Sequence, residues 1–168
     1  EAGGDIEKAK VLLRKISAQV AAKKGDRELG AGAVQAYVYA GNNVAAVVVL
    51  SCETDFVAKN EEFVKIAYDI AMHVAASAPE FLKKEDVTEK ATNAAKAVFE
   101  AQVADKPKDM QDKIVQGKLD AFLKEKGLLD QPFVKDAEKT IQDILDEAVQ
   151  KFGERIEIAK FERFSSTE

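Results

Sequence analysis

Cys52-Glu53-Thr54-Asp55-Phe56-Val57-Ala58-Lys59-Asn60-Glu61-Glu62-Phe63 is the stretch from which the rest of the fold is read. Before it, Val44 to Leu50 is an apolar run rich in β-branched residues and too short for a surface helix, so a buried strand is expected. After it, Phe63, Ile66, Ala67, Ile70, Ala71, Val74 and Ala75 recur at helical spacing, with Asn60 placed as N-cap. Thr54 to Lys59 is then a tight corner between strand and helix. Such a corner can hold an aromatic tip outward on a rigid base, which suits recognition. Periodicity alone leaves a second arrangement open, in which Thr54 caps, Asp55 favours the helix start and Phe56 packs inward.

Working upstream, Ala33 to Ala40 alternates Val34, Ala36, Val38 and Ala40 with Gln35, Tyr37 and Tyr39, the pattern of a strand. Gly41-Asn42-Asn43 tolerates positive φ, so the two strands should form an antiparallel hairpin. Nearer the start, Asp5 is set to cap a helix whose Ile6, Ala9, Leu13, Ile16 and Val20 form one apolar stripe. A helix with such a face is expected to dock on something. Lys23-Lys24-Gly25-Asp26-Arg27 reads as a polar linker, in which Lys23 and Lys24 either meet an acidic partner or are solvated.

Downstream, Ala78-Pro79 ends the helix that Asn60 begins. Thr88 should cap a second helix running to about Ala104, with Ala91, Ala94, Ala95, Val98 and Ala101 as a narrow seam. Asp105-Lys106-Pro107 turns the chain into a third helix carrying Met110, Ile114, Val115, Leu119 and Phe122 as far as Lys126-Gly127. These two form an antiparallel helical hairpin, about 88–126, projecting from the sheet. Gln131 to Val134 reads as an extended link, and a further helix is expected from Glu138 to Lys151, stopped by Gly153. The last strand, Arg155 to Phe164, slips in its alternation between Ile158 and Phe161, which predicts a bulge. The fold class is therefore α+β: a three-stranded antiparallel sheet packed with helices, the helical hairpin, and an N-terminal helix.

The chain has 168 residues, long enough for one ordinary core or two small ones. No apolar run approaches the roughly 20 residues needed to span a bilayer, so no membrane role is expected. A single cysteine, Cys52, excludes an intrachain disulfide. The formal charge of −5 argues against direct nucleic-acid binding and for a protein partner. His73 is the one histidine and sits in an apolar helix face, so it reads as a packing residue and a His-rich metal site is excluded. No Walker motif, dinucleotide fingerprint or catalytic constellation is present. No cofactor, metal or catalytic residue is expected, and the chain is not read as an enzyme.

Thr54-Asp55-Phe56-Val57-Ala58-Lys59-Asn60, directly after a strand ending in Cys52-Glu53, resembles the signature of the translation elongation factor Ts family. Ile70-Ala71-Met72-His73-Val74-Ala75-Ala76-Ser77, Gln131-Pro132-Phe133-Val134-Lys135-Asp136 and Gly153-Glu154-Arg155-Ile156 fit the same family in the right order. The resemblance implies a guanine-nucleotide exchange factor for elongation factor Tu. It implies Phe56 as a wedge between helices of that GTPase, disturbing its magnesium and phosphate site, with Asp55 as polar companion and Thr54 and Val57 shaping the corner. Phe152-Gly153 is implied as a second contact, with phenylalanine where isoleucine is usual, and Tyr39 as a contact or packing residue. Ala159-Lys160 replaces a frequent Arg-Arg pair. The resemblance sets residues 1–28 as a remnant last helix of an N-terminal helical domain plus linker, and 29–168 as a single core. It also implies possible pairing as a homodimer and a bacterial cytoplasm, a plastid stroma or a mitochondrial matrix as compartment. The alternative is a structural or ribosome-associated relative that docks on elongation factor Tu without exchanging its nucleotide.

Overall fold

The computed structural model describes residues 3–167; Glu1, Ala2 and Glu168, at the outer ends of the expected segments 1–28 and 29–168, lie outside the described residues. The chain divides into two compact units, one of them Pro79–Gln131 and the other the chain up to Ala78 together with the chain from Pro132.

The larger unit is built on a sheet in the order β1-β2-β5, formed by β1 (Ala31–Val38), β2 (Val44–Cys52) and β5 (Glu157–Ser165). Both pairings are antiparallel. The expected apolar run is thus the central strand. Ala46, Val48, Leu50 and Cys52 are fully buried on one face of it, beneath helix α3 (Glu61–Ser77), which contributes Phe63, Ala67, Ile70, Ala71 and Val74 to the same core. Asn60 caps α3 by accepting from the Glu62 amide at 2.9 Å, and the helix closes at Ala78 in the left-handed region (φ 47) before Pro79. The hairpin turn carries Asn42 at φ 54 and is closed by the Tyr39 amide on the Val44 carbonyl.

The β5 register shifts against Val49 and Leu50: Ile158 pairs with Leu50, Lys160 with Val49, and Ala159 is the extra residue. This is the expected bulge, and it returns Phe161 to the inner face opposite Val48. On β1 the inner face is carried by Ala33, Gln35 and Tyr37 (whose ring meets Tyr68 edge-on at 5.8 Å), while Val34 and Val38 point outward. The alternation was legible, but its more apolar half does not face the core.

Helix α1 (Ile6–Ala22) begins at Asp5, whose carboxylate accepts from the Lys8 amide at 3.1 Å. It packs against α6 (Ile141–Phe152), though not through the expected stripe: Ile6, Leu13 and Ile16 are exposed and Ser17 is buried. Two side-chain hydrogen bonds hold it, one to α6 and one to the strand before it. The Ser17 hydroxyl donates to Gln150 Oε1 and the Arg14 guanidinium to the Glu138 carbonyl. On α6 itself the Asp146 carboxylate is buried and held by Gln142 Nε2 at 2.7 Å, and burial pushes its pKa up.

Two further corrections concern the C-terminal part. Pro132–Phe133 (β3) pairs with Asp136–Thr140 (β4) as a small ribbon, so the extended link continues through Glu138 and α6 starts three residues later than expected. Thr140 and Asp143 form a reciprocal capping box there, a stronger start signal than any at Glu138. Gly153 ends α6 at φ 73, as expected of a glycine in that place.

In the smaller unit, α4 (Glu89–Gln102) starts at Thr88 and packs on α5 (Lys108–Lys126). The seam is rotated from the expected alanine row. Phe99 meets Phe122 at 6.2 Å and Val103 is buried with Val115 and Leu119, while Val98 is exposed. The larger ring displaces the smaller side chains because it removes more apolar surface from water.

Leu50→Ala leaves a void at the centre of the larger unit and should cost about 2–5 kcal/mol in urea unfolding. Thr140→Ala should cost about 1 kcal/mol by the same measurement if α6 starts at its capping box.

Candidate functional site

The corner after β2 folds as a four-residue helix, α2 (Asp55–Ala58), followed directly by Lys59 and the cap of α3. Packing sets the orientation. Val57 is the one apolar residue of the turn that lies within reach of the core and is buried, so the residue before it must point away. Phe56 is 91% exposed. Of the two arrangements open in the sequence, the outward ring is the one adopted. Asp55 lies beside it, also exposed, with its carboxylate 3.0 Å from Lys59 Nζ. Thr54 does not cap α2 through its side chain. Its hydroxyl donates instead to Glu154 Oε1 at 2.5 Å.

That bond joins the corner to the turn between α6 and β5, so Thr54 and Gly153 lie on neighbouring segments. Phe152 is half-buried, its ring edge-on to Phe63 at 5.9 Å and capped by Lys151 Nζ at 5.8 Å. Lys24 donates to the Gly153 carbonyl, while Lys23 is exposed at the end of α1. Lys24 is therefore anchored to the turn rather than free in a linker.

Tyr39 is not part of this group. β1 runs away from the corner, since Ala31 is opposite Cys52 and Val38 opposite Ala45. At about 3.4 Å per residue the strand puts Tyr39 roughly 25 Å from the α2 end. There it lines an apolar groove with Tyr37, Val44, Met72, Ala75 and Val134.

Sequence reasoning missed the charged residues below the corner. Glu53 accepts from the Arg155 amide at 2.5 Å and from Arg27 Nη1 at 3.2 Å, and Arg155 Nη1 donates to the Arg27 carbonyl at 2.5 Å. The Arg155 amide, then the Arg27 guanidinium, outweigh partial burial and hold the Glu53 carboxyl below its ordinary value. Gly153-Glu154-Arg155-Ile156 marked the place of these charges in the chain, but the partners of Glu154 and Arg155 lie about a hundred residues away in sequence, where no local signal reaches.

The remaining candidates for chemistry are occupied structurally. Cys52 is buried, its thiol donates to the Thr54 carbonyl at 3.3 Å, and burial pushes its pKa up, away from a thiolate nucleophile. His73 is fully buried, with Nδ1 accepting from the Val134 amide at 3.3 Å and the ring 6.1 Å from Phe133. Among the described residues no group of three or more His, Cys, Asp or Glu side chains is placed to hold a metal ion, and no helix is long and apolar enough to cross a membrane.

The family model described as elongation factor TS matches residues 7–168. "Elongation factor Ts" of Desulforamulus reducens is 41% identical over 170 residues, covering 100% of this chain and 78% of that protein. The protein of the same name from Thermosipho melanesiensis is 43% identical over 167 residues, covering 98% of this chain and 85% of the relative. That of Carboxydothermus hydrogenoformans is 43% identical over 166 residues, covering 98% and 76%.

Because the Glu53 pKa is lowered in the folded state, its contribution to stability is present above the ordinary glutamate value of 4.5 and is lost as pH falls through the lowered value. Glu53→Gln should therefore melt below wild type at neutral pH. Melting curves taken at successively lower pH should show the gap narrowing below 4.5.

Proposed function

Because the chain belongs to the elongation factor Ts family, we propose that it promotes release of GDP from elongation factor Tu by pressing Phe56 into that GTPase. The observation that carries this reading is the uncovered ring on a short, braced corner. An aromatic side chain loses little conformational freedom on binding and fills a pocket well, so it suits a central anchor. Asp55 and Lys59 flank it with charge, and Thr54 and Val57 fix the base. Phe152-Gly153, and Lys24 through its bond to Gly153, supply a second contact beside the first. Lys23 and Tyr39 are weaker candidates, Tyr39 because of its distance along β1.

The exchange step needs no bond chemistry from this chain. A factor that binds the nucleotide-free GTPase more tightly than the GDP–magnesium form shifts the population toward release. The coupling is reciprocal: nucleotide entry weakens the factor in the same proportion and frees it. Such a factor works in the compartment that holds its GTPase, here a bacterial cytoplasm.

The outer face of the sheet supports a second partner. Val34, Ala36 and Val38 of β1, Ala45, Val47 and Val49 of β2, and Phe164 of β5 share that face by register with the paired Lys160 and Glu162, and Val34, Val38 and Phe164 are each more than half exposed. A sheet face that is apolar across two strands, with charge confined to its third, suits packing on a second sheet. A second copy of the chain, meeting it face to face, would form a homodimer.

Fluorescent GDP release from elongation factor Tu should accelerate with wild-type protein, and Phe56→Ala should lose about 2 kcal/mol or more of binding to the GTPase. Binding without acceleration would favour the non-exchanging relative. In sedimentation equilibrium the wild type should approach twice the monomer mass and Val47→Asp should remain at the monomer mass.

A further inference from the structure

The ladder between β1 and β2 ends at Cys52, so the next two backbone N–H groups need acceptors from elsewhere. Glu154 supplies both. Its Oε2 lies 3.0 Å from the Glu53 amide and 3.0 Å from the Thr54 amide, while Oε1 takes the Thr54 hydroxyl at 2.5 Å. The arrangement is reciprocal, because the Glu53 carboxylate reaches the other way to the Arg155 amide at 2.5 Å. Each glutamate thus satisfies the backbone next to the other. Thr54 is also held at its carbonyl by the Cys52 thiol at 3.3 Å and the Ala58 amide at 3.1 Å.

Helix α2 has only four residues and cannot keep its direction through its own hydrogen bonds. We infer that, given the exchange reading above, Glu154 is a positioning residue: its carboxylate clasps the backbone two residues before Phe56 and fixes the direction in which the ring projects. A ring already aimed avoids the cost of ordering the corner when the partner binds. Gly153 makes the clasp possible, since its left-handed backbone (φ 73) turns the chain so that the next side chain faces β2.

The test uses the full chain in the GDP-release assay at subsaturating factor, with hydrogen exchange at individual amides as a second readout. Glu154→Ala should lower stimulated release about tenfold and speed exchange of the Glu53 and Thr54 amides by a similar factor, the size expected for lost bonds to a charged acceptor. Glu154→Gln should keep most of both. One amide oxygen can serve the two N–H groups while the Thr54 hydroxyl turns to accept from Nε2. In the Phe56→Ala background, Glu154→Ala should add almost nothing, because a ring that is absent cannot be misaimed. Additive losses would mean that Glu154 touches the partner by itself and would overturn the inference, as would wild-type release by Glu154→Ala. Loss of amide protection throughout β2 and α3 would mark a folding role and overturn it equally. If wild-type protein gives no acceleration at all, the exchange reading fails and the positioning role with it, while the two amides still report whether the clasp exists.

Discussion

Everything the larger unit presents hangs from the central strand β2, which is hydrogen-bonded along both edges and buried on one face. A strand bonded on both sides cannot slide without moving every side chain to the wrong face. Its end is therefore a fixed point in space, and the corner leaves from that end. The α6–β5 turn arrives at the same place because β5 runs antiparallel beside β2. Two segments a hundred residues apart in sequence meet there as a consequence of register, and the charged residues on both then satisfy one another's backbone.

The parts legible in the sequence were those whose signals are local. Val44 to Leu50 was readable as a strand because a short β-branched run has few alternatives. Asn60, Thr88 and Gly153 marked helix ends through the chemistry of single residues. Phe56 could be singled out, but its direction could not be read from spacing, since a four-residue turn has no period long enough to show a face. Burial of its neighbour Val57 settled the direction.

What was not legible depended on partners distant in sequence. The α1 stripe pointed to an apolar interface, yet α6 offers Gln150 and the backbone of its preceding strand, so Ser17 and Arg14 turned toward them and Leu13 and Ile16 stayed in water. On α4 the alanine row lost its place to Phe99 because Phe122 stood opposite. The ribbon of β3 and β4 was missed since its residues, Asp136 to Thr140, carry no apolar alternation at all and lie mostly exposed. Glu154 was invisible as a clasp for the same reason. A carboxylate names its charge in the sequence but not its acceptor geometry.

The bulge at Ala159 has a consequence for how β5 can change over evolution. The strand is written in two reading phases, with Ile158 on the inner face in one and Phe161 in the other. Drawing Ala159 into the ladder would place Lys160 opposite Val48 on the inner face and turn Phe161 out to water beside Val47. Deleting Ala159 would instead merge the two phases into one regular alternation, with Ile158 and Phe161 both still facing inward. The strand can lose its extra residue, but it cannot keep the residue and lose the kink.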